Sequence, residues 1–332
     1  MKEIHVVITM DCEPITTMTH GSSTGPSTWD LGERAVRGYG AIGKAFGFPI
    51  TYFIHPETAS EQAALFVELE QGHGACLGLH MHPWKYSMST HNGRKYLEHY
   101  GGLTEEQQRE LITEASATWV NAIGRHPTYF RPGTFSANDA VFKVLNELGF
   151  RGGSCSLPGR MMPEMRAAWV GAIPDPHRGH ESFRLAEGSL DFVNMPLSTD
   201  FSRALKGKLG ATFHPDLRPD IDWMKEYQLT YYDIATSIVE QLLQRKPTVP
   251  CLNLVSHNHF DYSNPLDPAA ARLRQAMEAI QTACDAQNIQ AVGATMADIT
   301  AKVLAMPAPS DQLVCEGTLY GSGQVGRLGS SK

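Results

Sequence analysis

The 332-residue sequence is short of positive charge: 28 Lys and Arg stand against 35 Asp and Glu, a formal net charge of −7. With no basic surplus to release counterions, binding to a nucleic-acid backbone is not expected. No run of 18 apolar residues occurs, so no membrane-spanning helix is expected. The six cysteines form no CxxC pair and read as reduced, buried thiols. No Asn-x-Ser/Thr sequon is present, and the start, MKEIHVVITMDCEP, has neither the basic head nor the small-residue cleavage site of a secretory signal, which together suggest a cytoplasmic protein. The composition, 42% apolar and 19% charged, supplies enough apolar material for a full core and argues against disorder.

What is present is an alternation of β-rich apolar runs with helix-period runs. Strands are expected at 4–10, 49–54, 76–80, 128–130, 192–195, 251–255 and 289–292. Helices are expected at 31–46 (capped by Asp30), 60–71 (capped by Thr58 or Ser60), 104–123, 137–148, 231–245 and 268–286. Thr104 with Gln107 three residues on is a capping box. About seven strand–helix units predict an α/β fold, a closed or nearly closed β/α barrel in a single domain over 1–305, with a C-terminal extension over 306–332. The stretches 158–184 and 205–228 read as irregular insertions over one barrel face, and the Gly/Ser-rich extension leaves a homo-oligomer open.

Such barrels carry their chemistry at the C-terminal ends of the strands. There the chain places Asp11-Cys12-Glu13, His55-Pro56-Glu57, His80-Met81-His82-Pro83-Trp84, Arg131-Pro132-Gly133 and His257-Asn258-His259. Asp11/Glu13, His80/His82 and His257/His259 are i, i+2 pairs, which share one face of an extended chain. Two carboxylates and up to five histidines could converge at one barrel mouth. Imidazole and carboxylate together suit Zn²⁺ and similar metals, which need three protein ligands and an open position for catalysis. A lone polar residue at a strand end, such as His55 or Glu57, is ordinarily solvated or caps the next helix. His5, His20, His73, His91, His99 and His126 read as surface residues.

In order, ITMDCEP, TYFIHP, GLHMHPW, YFRPGTFS and LNLVSHNHF resemble the polysaccharide deacetylases with a NodB-type domain (carbohydrate esterase family 4-like), in the branch with a His-x-His-Pro-Trp motif. The resemblance spans roughly residues 4–300. It implies a distorted (β/α)7 barrel and a metal-dependent hydrolase that removes acetyl groups from N-acetylated or O-acetylated sugars, with a divalent metal, Zn first and Co, Mn, Ni or Fe as alternatives. By the same resemblance Asp11 is the general base, Arg131 orients it and His257 is the general acid. His80 and His82 are metal ligands.

Two departures stand out. The usual second aspartate is replaced by Cys12, so that the acidic ligand is Glu13, as in some relatives, or Asp11. The histidines are two apart rather than four. His259 and His55 are candidate substrate contacts, and Trp84, Phe135 and Trp223 are candidates to stack on a sugar ring, although aromatic residues more often belong to the core. Two other readings use the same residues: a C–N hydrolase acting on a cyclic ureide, imide or other small amide, and a non-catalytic carbohydrate-binding barrel. Two patterns are set aside. Gly21–Gly25 matches GxSxG around Ser23 but lies in a polar loop rather than at a strand-to-helix elbow, and Gly321–Gly326 matches GxGxxG with no helix after it.

Overall fold

The computed structural model describes residues 1–18, 24–207 and 212–309, and the backbone of two short strands at 315–318 and 325–328. Nine strands form the main sheet: β1 (Glu3–Cys12), β2 (Ile50–Ile54), β3 (Cys76–Met81), β4 (Tyr129–Pro132), β5 (Gly152–Gly153), β6 (His177–Arg178), β7 (Val193–Asn194), β8 (Cys251–His257) and β9 (Gln290–Gly293). Their order is β8-β1-β2-β3-β4-β5-β7-β6, with β9 also pairing with β1. Seven of them, from β8 to β7, run parallel, while β6 is antiparallel to β7. The sheet curls until its ends meet, where Ser198 N–H donates to the Asn253 carbonyl at 3.0 Å and the Asn253 N–H donates to Ser198 Oγ at 3.0 Å. This is the distorted seven-stranded barrel that the family resemblance implies.

The crossover helices are α1 (Trp29–Ala45), α2 (Pro56–His73), α3 (Pro83–Thr90), α4 (Glu105–Ile123), α5 (Val141–Glu147), α6 (Trp223–Tyr227), α7 (Tyr231–Arg245), α8 (Pro268–Ala286) and α9 (Met296–Leu304). Strand alternation divides β1 in two. Ile4, Val6, Ile8, Met10 and Cys12 join the large apolar cluster with the helices, whereas Val7 joins a smaller one with Phe53, Val193, Met195, Cys251, Met296 and Ile299. The latter residues fill the inside of the barrel toward its N-terminal end, leaving Thr9 and Asp11 at its C-terminal mouth. No helix among the described residues is long and apolar enough to cross a membrane. The five cysteines among them, Cys12, Cys76, Cys155, Cys251 and Cys284, are free and buried.

Helix starts explain most departures from the sequence expectations. The cap of α1 is Thr28, whose hydroxyl accepts from Leu31 N–H, and not Asp30, which pairs instead with Arg34 one turn on. The start of α2 is at Pro56 rather than near Ser60, and α3 starts at Pro83. Proline cannot donate to a strand ladder but suits the first position of a helix. Each His-Pro step therefore holds its histidine, His55 or His82, at the junction of strand and helix. The shorter α5 begins after Asn138, whose side chain bridges to Gln108 and to the carbonyls of Gly101 and Leu103. His5, expected at the surface, lies on β1 at 6% exposure because β8 and β9 cover it on both edges. The expected insertions carry antiparallel pairs at 161–162/167–168 and 205–206/212–213 and α6. Ser23 and residues 321–324 of the GxGxxG pattern lie outside the described residues.

Candidate active site

Register brings the strand ends together. Asp11 on β1 is level with His257 on β8 and Phe53 on β2, and His80 on β3 is level with Arg131 on β4. Arg131 belongs to its strand rather than to the loop after it. From there its fully buried guanidinium reaches β1, where Nη1 donates to Thr9 Oγ1 and to Asp11 Oδ1, both at 2.8 Å. The ring of Phe53 lies 4.2 Å beneath it and that of Phe135 at 5.6 Å, which excludes water from the pair and adds cation–π attraction. Burial alone would raise the Asp11 pKa, but Arg131, with His80 and His257 nearby, outweighs it and holds the carboxyl below the usual range. Asp11 Oδ2 is left unclaimed by Arg131 and sits 3.9 Å from His80 Nε2.

Glu13, His80 and His82 converge, all three buried. The two Nε2 atoms meet the same oxygen, Glu13 Oε1, at 3.2 Å from His80 and 3.0 Å from His82. His80 Nδ1 lies 3.0 Å from the Arg131 carbonyl oxygen, which can only accept, so Nδ1 carries a proton and Nε2 is the nitrogen turned to Glu13. Burial drives the His82 pKa down to about 3, so that ring is neutral. Glu13 is held well below the usual carboxylate range by Lys85 and the two histidines, against the effect of burial. One carboxylate and two imidazoles, with the two nitrogens 3.2 and 3.0 Å from the shared oxygen, close to the roughly 3.3 Å edge of a tetrahedron with about 2.0–2.1 Å bonds, fit a divalent transition metal. Alternation turns Cys12, which occupies the usual aspartate position, away from this group and into the apolar cluster.

Three residues that the strand-end reading passed over complete the site. Lys85, on the first turn of α3 and 1% exposed, places Nζ 2.8 Å from Glu13 Oε2 and donates to the Thr24 carbonyl at 2.7 Å. Asn258, between the two paired histidines, accepts from Glu13 N–H at 2.9 Å and donates back to the Glu13 carbonyl at 3.0 Å, fastening the loop after β1 to the loop after β8. Asp220, in an insertion, receives His257 Nδ1 and also accepts from Ser256 Oγ at 2.6 Å. Burial would lower the His257 pKa, but Asp220 outweighs it and raises it. A lysine on a helix and an aspartate in a loop carry no periodic signal. For Asn258 the signal was its place between two histidines.

The remaining candidates spread out. His55 is fully buried with Nδ1 on Glu57, which also receives Ser89, and its ring centroid is 6.4 Å from that of His80. His259 stacks on Phe260 with centroids 3.9 Å apart, and burial lowers its pKa to about 4. Trp84 is half-buried, 6.1 Å from the His82 ring. Phe135 is 5% exposed and packs against Arg131. Trp223 is 1% exposed between Phe213 and Tyr227, so its ring is a core element without a free face for a sugar. Gly133 is required by the site, because a Cβ there would lie 2.2 Å from the His82 ring.

The family model for polysaccharide deacetylase matches residues 17–153. Among solved structures, the fold is similar to a "putative polysaccharide deacetylase" from Mycobacterium smegmatis (17% identity, 96% of each chain, TM-score 0.57). It is also similar to Puue allantoinase (14% identity, 92% of this chain and 91% of that one, TM-score 0.56). A third is a "probable polysaccharide deacetylase" from Pseudomonas aeruginosa PAO1 (14% identity, 90% of each chain, TM-score 0.51). At these identities the likeness is one of fold. No curated protein matches in sequence. Residues 17–153 thus match the polysaccharide deacetylase family model, and this match and the shared barrel agree with the motif order.

Proposed function

We propose that the protein is a metal-dependent deacetylase that hydrolyses acetyl groups from N-acetylated or O-acetylated sugars. The observation that carries this reading is the convergence of two histidine nitrogens on one oxygen of an ionised Glu13, beside an Asp11 whose second oxygen Arg131 leaves unclaimed. Glu13, His80 and His82 would hold the metal, Zn²⁺ first among the divalent ions that such a donor set accepts. When bound, the ion supplies Lewis-acid chemistry, polarising the scissile carbonyl and acidifying water.

The chain's own groups do the rest. Asp11 takes the proton of the attacking water on Oδ2, while Arg131 keeps Oδ1 occupied and the carboxylate ionised. His257, 21% exposed at the mouth, gives a proton to the departing amine or alcohol. Asp220 fixes the His257 Nδ1 proton and directs Nε2 outward, and Phe53 and Phe135 keep water from the Arg131–Asp11 pair.

Acetate release from a panel of acetylated sugars should be abolished by a chelator and restored by Zn²⁺, Co²⁺ or Mn²⁺. Release that continues at full rate in the chelator would overturn the reading. The same groups would serve a cyclic ureide or another small amide, a second reading supported by the fold shared with Puue allantoinase. Hydrolysis of a ureide with no acetate released from any sugar would establish it.

A general acid must be protonated to act, so the raised His257 pKa extends activity toward higher pH. Asp220→Asn removes the carboxylate that raises it. The alkaline limb of kcat/KM should move to lower pH while the acid limb, set by Asp11, stays in place. An unmoved alkaline limb would show that His257 is not the acid.

A further inference from the structure

The ionised groups around the mouth are matched almost one to one. Arg131 pairs with Asp11, Lys85 with Glu13, His257 with Asp220, and Arg218 with Asp216. The last pair is closed on both carboxylate oxygens, with Nε donating at 2.8 Å and 2.9 Å and Nη2 at 2.6 Å. Arg160 is the cation left over, since no acidic side chain among the described residues lies within ion-pair distance of its guanidinium.

Its position is built rather than incidental. It lies on the loop leaving the C-terminal end of β5, where Arg160 N–H donates to the Leu157 carbonyl at 3.1 Å and Trp169 N–H donates to the Arg160 carbonyl at 2.8 Å. Trp169 is fully buried and its indole donates to the Phe135 carbonyl at 2.6 Å, the residue whose ring covers Arg131. On the other side, Gly159 at φ +80° lies so close to His214 that a Cβ would come within 2.4 Å of the ring. That seats the loop against the segment bearing Asp216, Arg218 and Asp220. Arg160 is half-buried, and burial together with the field of Arg218 lowers its pKa to about 10, only partly offset by Asp216. A guanidinium kept this way beside a second one, with no acidic partner of its own among the described residues, is suited to receive an anion.

We infer that Arg160 binds an anionic group of the substrate, a carboxylate or phosphate next to the acyl group that is removed, so that the enzyme selects acidic over neutral acetylated substrates. The inference rests on the deacetylase reading for its reaction but not for its ligand. It makes Arg160 a specificity-determining residue rather than a catalytic one.

The test compares N-acetylglucosamine with two acidic derivatives, N-acetylmuramic acid (a carboxylate) and N-acetylglucosamine 6-phosphate, on the metal-loaded protein. One charge-assisted contact predicts about a tenfold or greater preference in kcat/KM for an acidic sugar, and the derivative preferred identifies the anion. Arg160→Gln should erase the preference through the KM of the acidic sugar, and Arg160→Lys, which keeps the charge, should retain part of it. No preference in the wild type, a preference unchanged in Arg160→Gln, or one lost equally in Arg160→Lys would overturn the inference. If none of the three sugars is turned over, the deacetylase reading fails by itself. Calorimetric titration with the same sugars then decides this inference: tighter binding of an acidic sugar to wild type than to Arg160→Gln supports it, and equal binding overturns it.

Discussion

Asp11→Asn should lower kcat by about a hundredfold to ten-thousandfold, the range that a positioned general base contributes, while bound metal stays at its wild-type stoichiometry. The amide keeps the shape of the carboxylate and an oxygen for the Arg131 Nη1 contact at 2.8 Å. What it loses is the second oxygen, the one that accepts a proton. Metal content is the discriminating measurement. The proposed ligands are Glu13, His80 and His82, whose donor atoms are untouched by the substitution. If Asp11 were itself the acidic ligand, the variant would lose metal together with turnover. Elemental analysis beside steady-state kinetics separates the two cases, and a variant that keeps full turnover would remove Asp11 from the mechanism.

The second large effect is expected for Lys85→Met and is one of stability. Glu13 is fully buried, and its Oε2 has Lys85 Nζ at 2.8 Å. Methionine fills similar space without charge, so the variant strands an anion in the interior. Removing one member of a buried ion pair costs about 3–5 kcal/mol, and urea unfolding in the presence of chelator should show a loss of that size. Added metal should return part of it, because a cation on Oε1 again compensates Glu13 and ligand binding to the native state shifts the folding equilibrium. A loss below about 1 kcal/mol, smaller than the usual cost of a broken buried pair, would mean that Lys85 is not what keeps Glu13 ionised. The contact also ties the loop at Thr24 to α3, so the same substitution removes a 2.7 Å hydrogen bond to that carbonyl.

The convergence of Glu13, His80 and His82 was partly legible before folding because the pairing of their faces follows from local rules. In an extended strand, residues two apart share a face, so Asp11 with Glu13 and His80 with His82 were bound to point together. The proline after His82 ends the strand at that point, which fixes where along the barrel axis the second histidine stands. The His257/His259 pair shows the limit of the rule. The strand ends at His257, the chain then turns, and His259 stacks on Phe260. His55 shows another limit. It stands at a strand end as expected, but Glu57 two residues on claims its Nδ1.

The sequence by itself determined the strand–helix alternation, the faces of the paired residues within strands and the helix start marked by the capping box at Thr104. All of these depend on interactions within a few residues along the chain. Only the tertiary structure decided the partners. Lys85 meets Glu13 across 72 positions, Asp220 meets His257 across 37, and Arg131 meets Asp11 across 120. Each is a short-range electrostatic contact between groups that closure of the barrel brings together. The leftover charge on Arg160 could be seen only once every other ion at the mouth had been matched. Trp223 makes the same point for apolar groups, since composition alone leaves its ring free for a sugar, and packing against Phe213 and Tyr227 commits it to the core.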